Sequence, residues 1–447
     1  MAPNTETAAR LPRKYPILGH GPHLVRQPFQ FLKAVREQGP VTLIKLGPKP
    51  AYVVSSHDLV WRILLTDAAS FERSFLTEKI QSLFSKGFSA ISGPEHVGQR
   101  RMLQSAFRQR NLVRYASLGW PISLGTVGTW RDGAQLEMTE EVSRIITKMT
   151  IRTLFATELS TELEKCLLEC IPIFLGGLFR RFANPIALFE RLPTPFNLRF
   201  NAALSQLHRI VHTVVLQSRE RGVDDGDLLS TLQFTRDSET GEQLADDVIH
   251  DVIMNLLLAG IETTSALMSW VCHLLGRFPG TQERLQQEVD QVLSGGALVY
   301  DDIGKFAYTQ RVITEALRMF PPIWELPYWA RHDVDLGGHR IPGGSMVLSS
   351  IYGVHHDPSV YADPERFDPD RWCPDRAEGL PRSAFIPFGV GVRKCLGESL
   401  AKLQSVVILA AVMQRWTLRP VGDGEARPVV TMAISPRSVP MTTHRRR

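Results

Sequence analysis

Phe388-Gly389-Val390-Gly391-Val392-Arg393-Lys394-Cys395-Leu396-Gly397 is the stretch on which the reading of this 447-residue chain turns. One cysteine sits among three glycines, with an arginine two residues before it and a helical run, Glu398 to Trp416, directly after. Glycines at 389, 391 and 397 permit a tight loop and let the backbone come close to a flat macrocycle. Exposed N–H groups in such a loop, and at the start of a helix, hold negative charge on sulfur and tune its basicity, as a metal-ligating thiolate requires. Arg393 supplies a cation for a carboxylate of the bound group. At this point the bland alternative, a glycine-rich turn with a buried cysteine, stays open.

Upstream, the apolar helix expected over Asp247 to Phe278 contains Ala259-Gly260-Ile261-Glu262-Thr263-Thr264. A hydroxyl and an acid in the middle of an apolar helix are costly unless used, although Glu and Thr on an ordinary helix are commonplace. Gly260 and Thr263 are three apart and share a face. The missing side chain leaves room for a small ligand, and the hydroxyl can open a helical hydrogen bond and hold water. Glu315-Ala316-Leu317-Arg318 sets an acid and a base three apart, by itself a surface pair worth about 0.2 to 0.5 kcal/mol. His96 and Arg100, four apart in the helix after Gly93-Pro94, put two donors on one side; singly, each reads equally as a surface base.

Taken in order, these segments resemble the cytochrome P450 family. The decapeptide is similar to its F-x-x-G-x-R-x-C-x-G haem-binding loop at every fixed position, and Ala259 to Thr264 is similar to its oxygen-activation helix, A-G-x-[DE]-T-[TS]. Glu315 and Arg318 resemble its buried E-x-x-R pair, completed by Arg366 of Pro364-Glu365-Arg366-Phe367. The resemblance implies haem b held by Cys395, with Phe388, Gly389, Gly391, Ala259 and Gly260 against the macrocycle and His96, Arg100, Arg331 and Arg393 on its propionates. It implies dioxygen activation with Thr263 delivering protons and Glu262 relaying them. It makes Glu315, Arg318 and Arg366 a structural network. His356, in His355-His356-Asp357-Pro358, departs from the arginine many relatives carry. A pocket roof is implied over Phe75 to Ile91, with Phe75, Leu76, Phe84 and Phe88, joined by Leu256, Ala259, Ile323, Trp324 and Leu326. Glu325 is the one candidate polar anchor, and a pocket so apolar favours an apolar substrate of moderate size.

The implied fold is mainly α with smaller β-sheets, an α+β arrangement in one large domain over 13–447 after a flexible tail, 1–12. The patterning agrees. Phe29 to Gln38 has helical spacing, Val41 to Ser55 alternates as a hairpin, 57 to 293 is mostly 3.6-periodic, and β signal returns at Arg331 to Ser350 and Val429 to Met441. No repeat or low-complexity linker divides the chain. Leu18-Gly19-His20-Gly21-Pro22 and Leu46-Gly47-Pro48-Lys49 resemble actinobacterial members that hydroxylate sesquiterpenes, so a terpenoid is expected, with fatty acids and steroids as alternatives.

Net charge is +5, with Lys and Arg scattered, which argues against nucleic acid and suits a solvated surface or an acidic electron carrier. Five cysteines form no disulfide framework, and Cys166 and Cys170 read as core residues of a helix in a reducing compartment. The polar N-terminus offers no signal peptide, and Val252 to Gly260 is too short to span a bilayer. We expect a cytoplasmic monomer without an integral membrane segment. With no fused flavin or iron–sulfur domain expected, ferredoxin and ferredoxin reductase would supply electrons from NAD(P)H. The rival of another class is a non-catalytic haem-thiolate ligand sensor.

Overall fold

The computed structural model describes residues 8–11, 14–47, 49–73, 86–155, 160–183, 192–422 and 425–446. They fall into two compact units, 1–76 with 311–395 and 425–438, and 77–310 with 396–424 and 439–447.

The first unit is built on a six-stranded sheet. In spatial order its strands are Ala9–Arg10, Val41–Leu46, Lys49–Val54, Met346–Ser350, Glu325–Ala330 and Phe71–Arg73. The expected hairpin is present, antiparallel from Val41 opposite Val54 to Leu46 opposite Lys49. Gly47 takes φ +61° at its turn, a conformation open to glycine without a Cβ penalty. The central strand Met346–Ser350 is buried at every position, while the hairpin strands beside it keep some positions partly or fully exposed. Val41, Val54, Phe71, Ala330 and Val347 pack with Val60 and Ile63 from the short helical stretch after the hairpin and with Ile351 and Val354. Burial of this kind contributes roughly 1.5 to 3 kcal/mol per large side chain.

The second unit is helical. Its longest element, Asp246–Arg277, carries Asp246 and Asp247 in the first turn, where acids complement the helix dipole. It packs against the helices Met138–Leu154 and Pro195–Arg221. Glu398–Arg415 packs against Gln109–Val127, and a three-stranded antiparallel sheet, Trp416–Pro420, Pro440–Arg445 and Gln135–Glu137, completes the unit. The helix after the cysteine loop stops one residue before the expected Trp416, which opens a strand instead and buries its ring. By length and composition Asp246–Arg277 would suffice to cross a membrane, yet 61% of its most apolar window is buried inside the protein, which suits a core helix.

Cys166 and Cys170 differ from expectation. Both are half-buried on the helix Thr161–Ala183, with sulfurs 3.8 Å apart, because the i, i+4 spacing places them on one partly covered face.

Candidate active site

In the cysteine loop, Gly389 and Gly391 have φ +65° and +72°. A Cβ at Gly391 would lie 2.7 Å from the carbonyl oxygen of Leu64, so only glycine fits; one at Gly389 would meet nothing within 4 Å. The Cys395 amide donates to the Phe388 carbonyl at 2.9 Å, and that of Lys394 to Gly391 at 3.1 Å. The loop is thereby closed on itself. Cys395 is exposed, with Phe388 and Arg393 half-buried beside it in sequence. An exposed thiol, a backbone stripped of side chains and a neighbouring guanidinium form a donor set that fits a flat, carboxylate-bearing iron macrocycle.

Behind the loop lies a buried ionic network. Glu315 and Arg318 are both fully buried; Arg318 donates through Nε and Nη2 to the two Glu315 oxygens at 2.9 and 2.8 Å. Its Nη1 donates to the carbonyls of His355 and Pro364 at 3.0 and 2.7 Å. Arg366 contributes only its carbonyl, 3.3 Å from Nη2, while the residue itself is exposed. The second guanidinium belongs to Arg371, with Nε 3.5 Å from Glu315, and Trp372 Nε1 donates to Glu315 at 2.9 Å. The sequence offers two candidates of one pattern, Pro364-Glu365-Arg366-Phe367 and Pro369-Asp370-Arg371-Trp372, and the fold turns the second inward.

His355 links this network to the loop. Its Nε2 accepts from the Ile386 amide at 3.0 Å, and the Ile386 carbonyl accepts from Gly389. With Nε2 accepting, the ring is neutral and its proton sits on Nδ1. Burial, and then the Arg318 charge, push His355 down to about 3. His356, where an arginine is common among relatives, is buried instead, bonds through Nδ1 to the Tyr352 carbonyl and is held well below the usual imidazole range by burial and then Arg318. A second cation beside Arg318 would cost much there.

On the helix Asp246–Arg277, Val252, Ile253, Met254, Asn255, Leu257, Ile261 and Thr264 are buried. Along one face, at i, i+3, i+4 and i+7, Ala259 is exposed and Leu256, Gly260 and Thr263 are half-buried, as Leu258 and Ser265 are elsewhere on the helix. Thr263 Oγ1 donates to the Ala259 carbonyl at 2.6 Å, so the hydroxyl is held against its own helix. Glu262 is half-buried next to it. A Cβ at Gly260 would make only ordinary contact with Thr150, 3.8 Å away.

His96 is buried and stacks on Phe88, ring centroids 6.5 Å apart, with Arg100 half-buried one turn on. Arg331, in the other unit, is exposed, with Nε 3.9 Å from Glu72. Of the pocket candidates, Phe75, Leu76 and Phe84 lie outside the described residues. Ile323, Trp324 and Leu326 are half-buried at the entry to the strand Glu325–Ala330. Burial pushes the Glu325 carboxyl up to about 8, so it is largely protonated at neutral pH. Arg371, Trp372 and His355 are the residues the sequence reading missed. The repeated Pro-acid-Arg-aromatic pattern was the signal for the first two; His355 had none, since its partners come from distant segments.

A family model described as Cytochrome P450 matches residues 10–440. The chain is 36% identical over 415 residues to cyclooctat-9-en-7-ol 5-monooxygenase of Streptomyces melanosporofaciens, covering 93% of this chain and 90% of that one. It is 35% identical over 426 residues to cyclooctatin synthase of the same organism, covering 95% and 93%. To pentalenene oxygenase of Streptomyces avermitilis it is 34% identical over 434 residues, covering 97% and 96%. The crystal structure of the cytochrome P450DA haem domain matches with a TM-score of 0.89 at 24% identity, covering 99% of each chain. A retinoic-acid-bound cyanobacterial structure matches at 0.86, also 24% identical, covering 99% of this chain and 100% of that one. At that identity the structures speak to the fold alone. The chain belongs to the cytochrome P450 family and is a haem-thiolate monooxygenase with haem b as its cofactor.

Proposed function

We propose that this enzyme hydroxylates an apolar terpenoid, using dioxygen and electrons delivered by a ferredoxin and its reductase, as a cytoplasmic monomer whose residues 13–447 act as one catalytic domain. The observation that carries the reading is the helix face Leu256, Ala259, Gly260 and Thr263, apolar but for one hydroxyl, with Ala259 exposed and the other three half-buried among the buried residues Val252 to Asn255, Leu257, Ile261 and Thr264. Support for the substrate class comes from the names of the three Streptomyces relatives, two of which specify a cyclic alkene or its alcohol.

Cys395 would hold the iron as a thiolate, its charge eased by loop amides, with Arg393, Arg331, His96 and Arg100 pairing with the propionates. When bound, the haem supplies the redox chemistry that splits dioxygen. Leu256, Ala259 and Phe88 in the helical unit, and Ile323, Trp324 and Leu326 in the other, are the apolar side chains suited to orienting such a skeleton by shape. Thr263 Oγ1 gives up its bond to the Ala259 carbonyl to hand a proton toward the oxygen side, and the Glu262 carboxyl replenishes it. Glu315, Arg318 and Arg371 touch no reacting atom; they hold the segment from which the cysteine loop springs.

The test is a panel of cyclic terpenes, fatty acids and steroids, read by the haem spin-state shift and by product formation with a surrogate ferredoxin system. Terpenoid shift and hydroxylation are expected. A response confined to fatty acids or steroids would overturn the substrate class, and carbon monoxide binding with no consumption of NAD(P)H would favour a sensor. In Thr263→Ala, reduced cofactor should drain into peroxide; full coupling would remove the proton role.

A further inference from the structure

The positive charge of this chain is concentrated at one end. Residues 1–50 hold eight Lys and Arg against two acids, a net +6 where all 447 residues carry +5, so the remainder is close to neutral. Arg10, Lys14, Arg26, Lys45 and Lys49 of this stretch are exposed. The same stretch leaves large apolar side chains in the open: Tyr15, Ile17, Leu18 and Val25. Ile17, at 86%, is the most exposed large apolar residue among the described residues, and Leu18 is 58% exposed. Singly such residues are commonplace, but four within eleven positions of a basic stretch call for a reason.

The backbone supplies one. The Tyr15 amide donates to the Gly19 carbonyl at 2.8 Å and the Gly19 amide to the Tyr15 carbonyl at 3.0 Å, closing a turn with Pro16, Ile17 and Leu18 at its tip. Its base is clamped to the strand Val41–Leu46. The His20 amide donates to the Lys45 carbonyl at 2.7 Å, and the Lys45 amide donates to Nδ1 of the buried His20 at 2.9 Å. A Cβ at Gly19 would collide with that same carbonyl, so the two backbones meet directly. At the tip Ile17 takes φ +62°, a left-handed conformation that a β-branched residue adopts only at a cost. Packing does not repay that cost, because the side chain lies outside the protein. Strain held without an internal return marks a position whose use is external. The Tyr15 ring lies 5.0 Å from that of His23, which ties the turn to the short helix Gly21–Arg26 carrying Val25 and Arg26.

We propose that this turn and its basic surroundings dock the enzyme reversibly on an anionic lipid bilayer, with Ile17, Leu18 and Val25 entering the boundary of the acyl chains while Lys14, Arg26 and Lys45 meet lipid phosphates. A protruding aliphatic tip needs no matching hollow in a fluid acyl region, whereas a protein partner needs a complementary surface of about 800 Å2. Each Lys or Arg close to a negatively charged leaflet adds about fivefold in affinity. The attachment is peripheral, requires no spanning helix and does not rest on the substrate assigned above.

The experiment is sedimentation of the haem-loaded enzyme with vesicles of phosphatidylglycerol mixed equally with phosphatidylcholine, and with vesicles of phosphatidylcholine alone, at low and high salt. Binding to the anionic vesicles that weakens as salt rises is expected. Ile17→Ser/Leu18→Ser should weaken it roughly tenfold or more. Lys14→Gln/Arg26→Gln/Lys45→Gln should weaken it about 100-fold. Unchanged Soret absorption in each variant shows that it has folded. Ile17→Gly separates the tip from the fold: glycine adopts φ +62° freely, so the melting temperature should hold or rise while vesicle affinity falls. No binding to the anionic vesicles, equal binding to both kinds, or an Ile17→Gly variant that melts lower or keeps full affinity would each overturn the proposal. If the serine pair dissolved a dimer and left vesicle binding unchanged, the tip would instead be a contact between copies of the chain. If the glutamine triple variant slowed reduction by an acidic ferredoxin and left vesicle binding unchanged, the charges would instead serve that protein.

Discussion

Substituting the two arginines that compete for the Glu315 network should give unequal losses. Arg318 is wholly buried and its charge is answered by Glu315, so Glu315→Ala strands a guanidinium in the interior at roughly 3 to 5 kcal/mol. Arg371→Ala removes the 3.5 Å ion pair and two donations to backbone carbonyls, of Ala362 at 2.9 Å and Asp363 at 3.3 Å. Glu315 would keep Arg318 and Trp372, so the loss is smaller, about 2 to 3 kcal/mol. Arg366→Ala leaves the one contribution of that residue, its carbonyl, in place, and an exposed side chain away from such features is worth within about 0.5 kcal/mol. Urea unfolding of the haem-loaded protein, followed by far-UV circular dichroism and Soret absorbance together, measures all three. A difference of at least 1.5 kcal/mol between the arginine variants, more than tenfold in the folded-to-unfolded ratio, is expected. Equal losses, or a larger one for Arg366→Ala, would refute the assignment of Arg371.

The same unit makes an acid-side prediction. His355 is held near 3 when folded and titrates near 6.5 when unfolded, so the unfolded chain takes up the proton first and stability present above about pH 6.5 is lost as pH falls toward 3. Between pH 7.5 and 5.5 this one ring should cost about 1.4 kcal/mol, and His355→Gln should flatten the measured slope by that share, whatever its own stability. Gly391→Ala forces a Cβ to 2.7 Å from the Leu64 carbonyl at φ +72°, and should lower haem occupancy and cost about 1 to 3 kcal/mol of stability, checked by the haem-to-protein absorbance ratio and urea unfolding. Glu325→Gln copies the protonated carboxyl, so spectral substrate affinity at pH 7 should stay within twofold of the parent while the change in affinity expected near pH 8 disappears, as a titration from pH 6 to 9 would show. Replacement of Cys395 by alanine should abolish the red-shifted Soret band of the reduced, carbon-monoxide-treated protein.

The sequence by itself determined what depends on neighbours along the chain. The cysteine loop carries its requirements in ten consecutive residues, because glycine φ freedom, loop amides and the adjacent arginine are all local. The helix with Gly260, Glu262 and Thr263 was legible for the same reason, one turn setting its face, and the hairpin from Val41 to Val54 followed from alternation around Gly47. Tertiary structure alone decided between Arg366 and Arg371, since two tetrapeptides of one pattern differ only in which is carried past Glu315. It alone brought the His355 ring to the amide of Ile386, and His208 to His250 across 42 residues of chain. It also left Cys166 and Cys170 half-covered. Which side chains a buried charge meets, or which imidazoles face each other, is set by packing between segments remote in sequence, and no local periodicity records it.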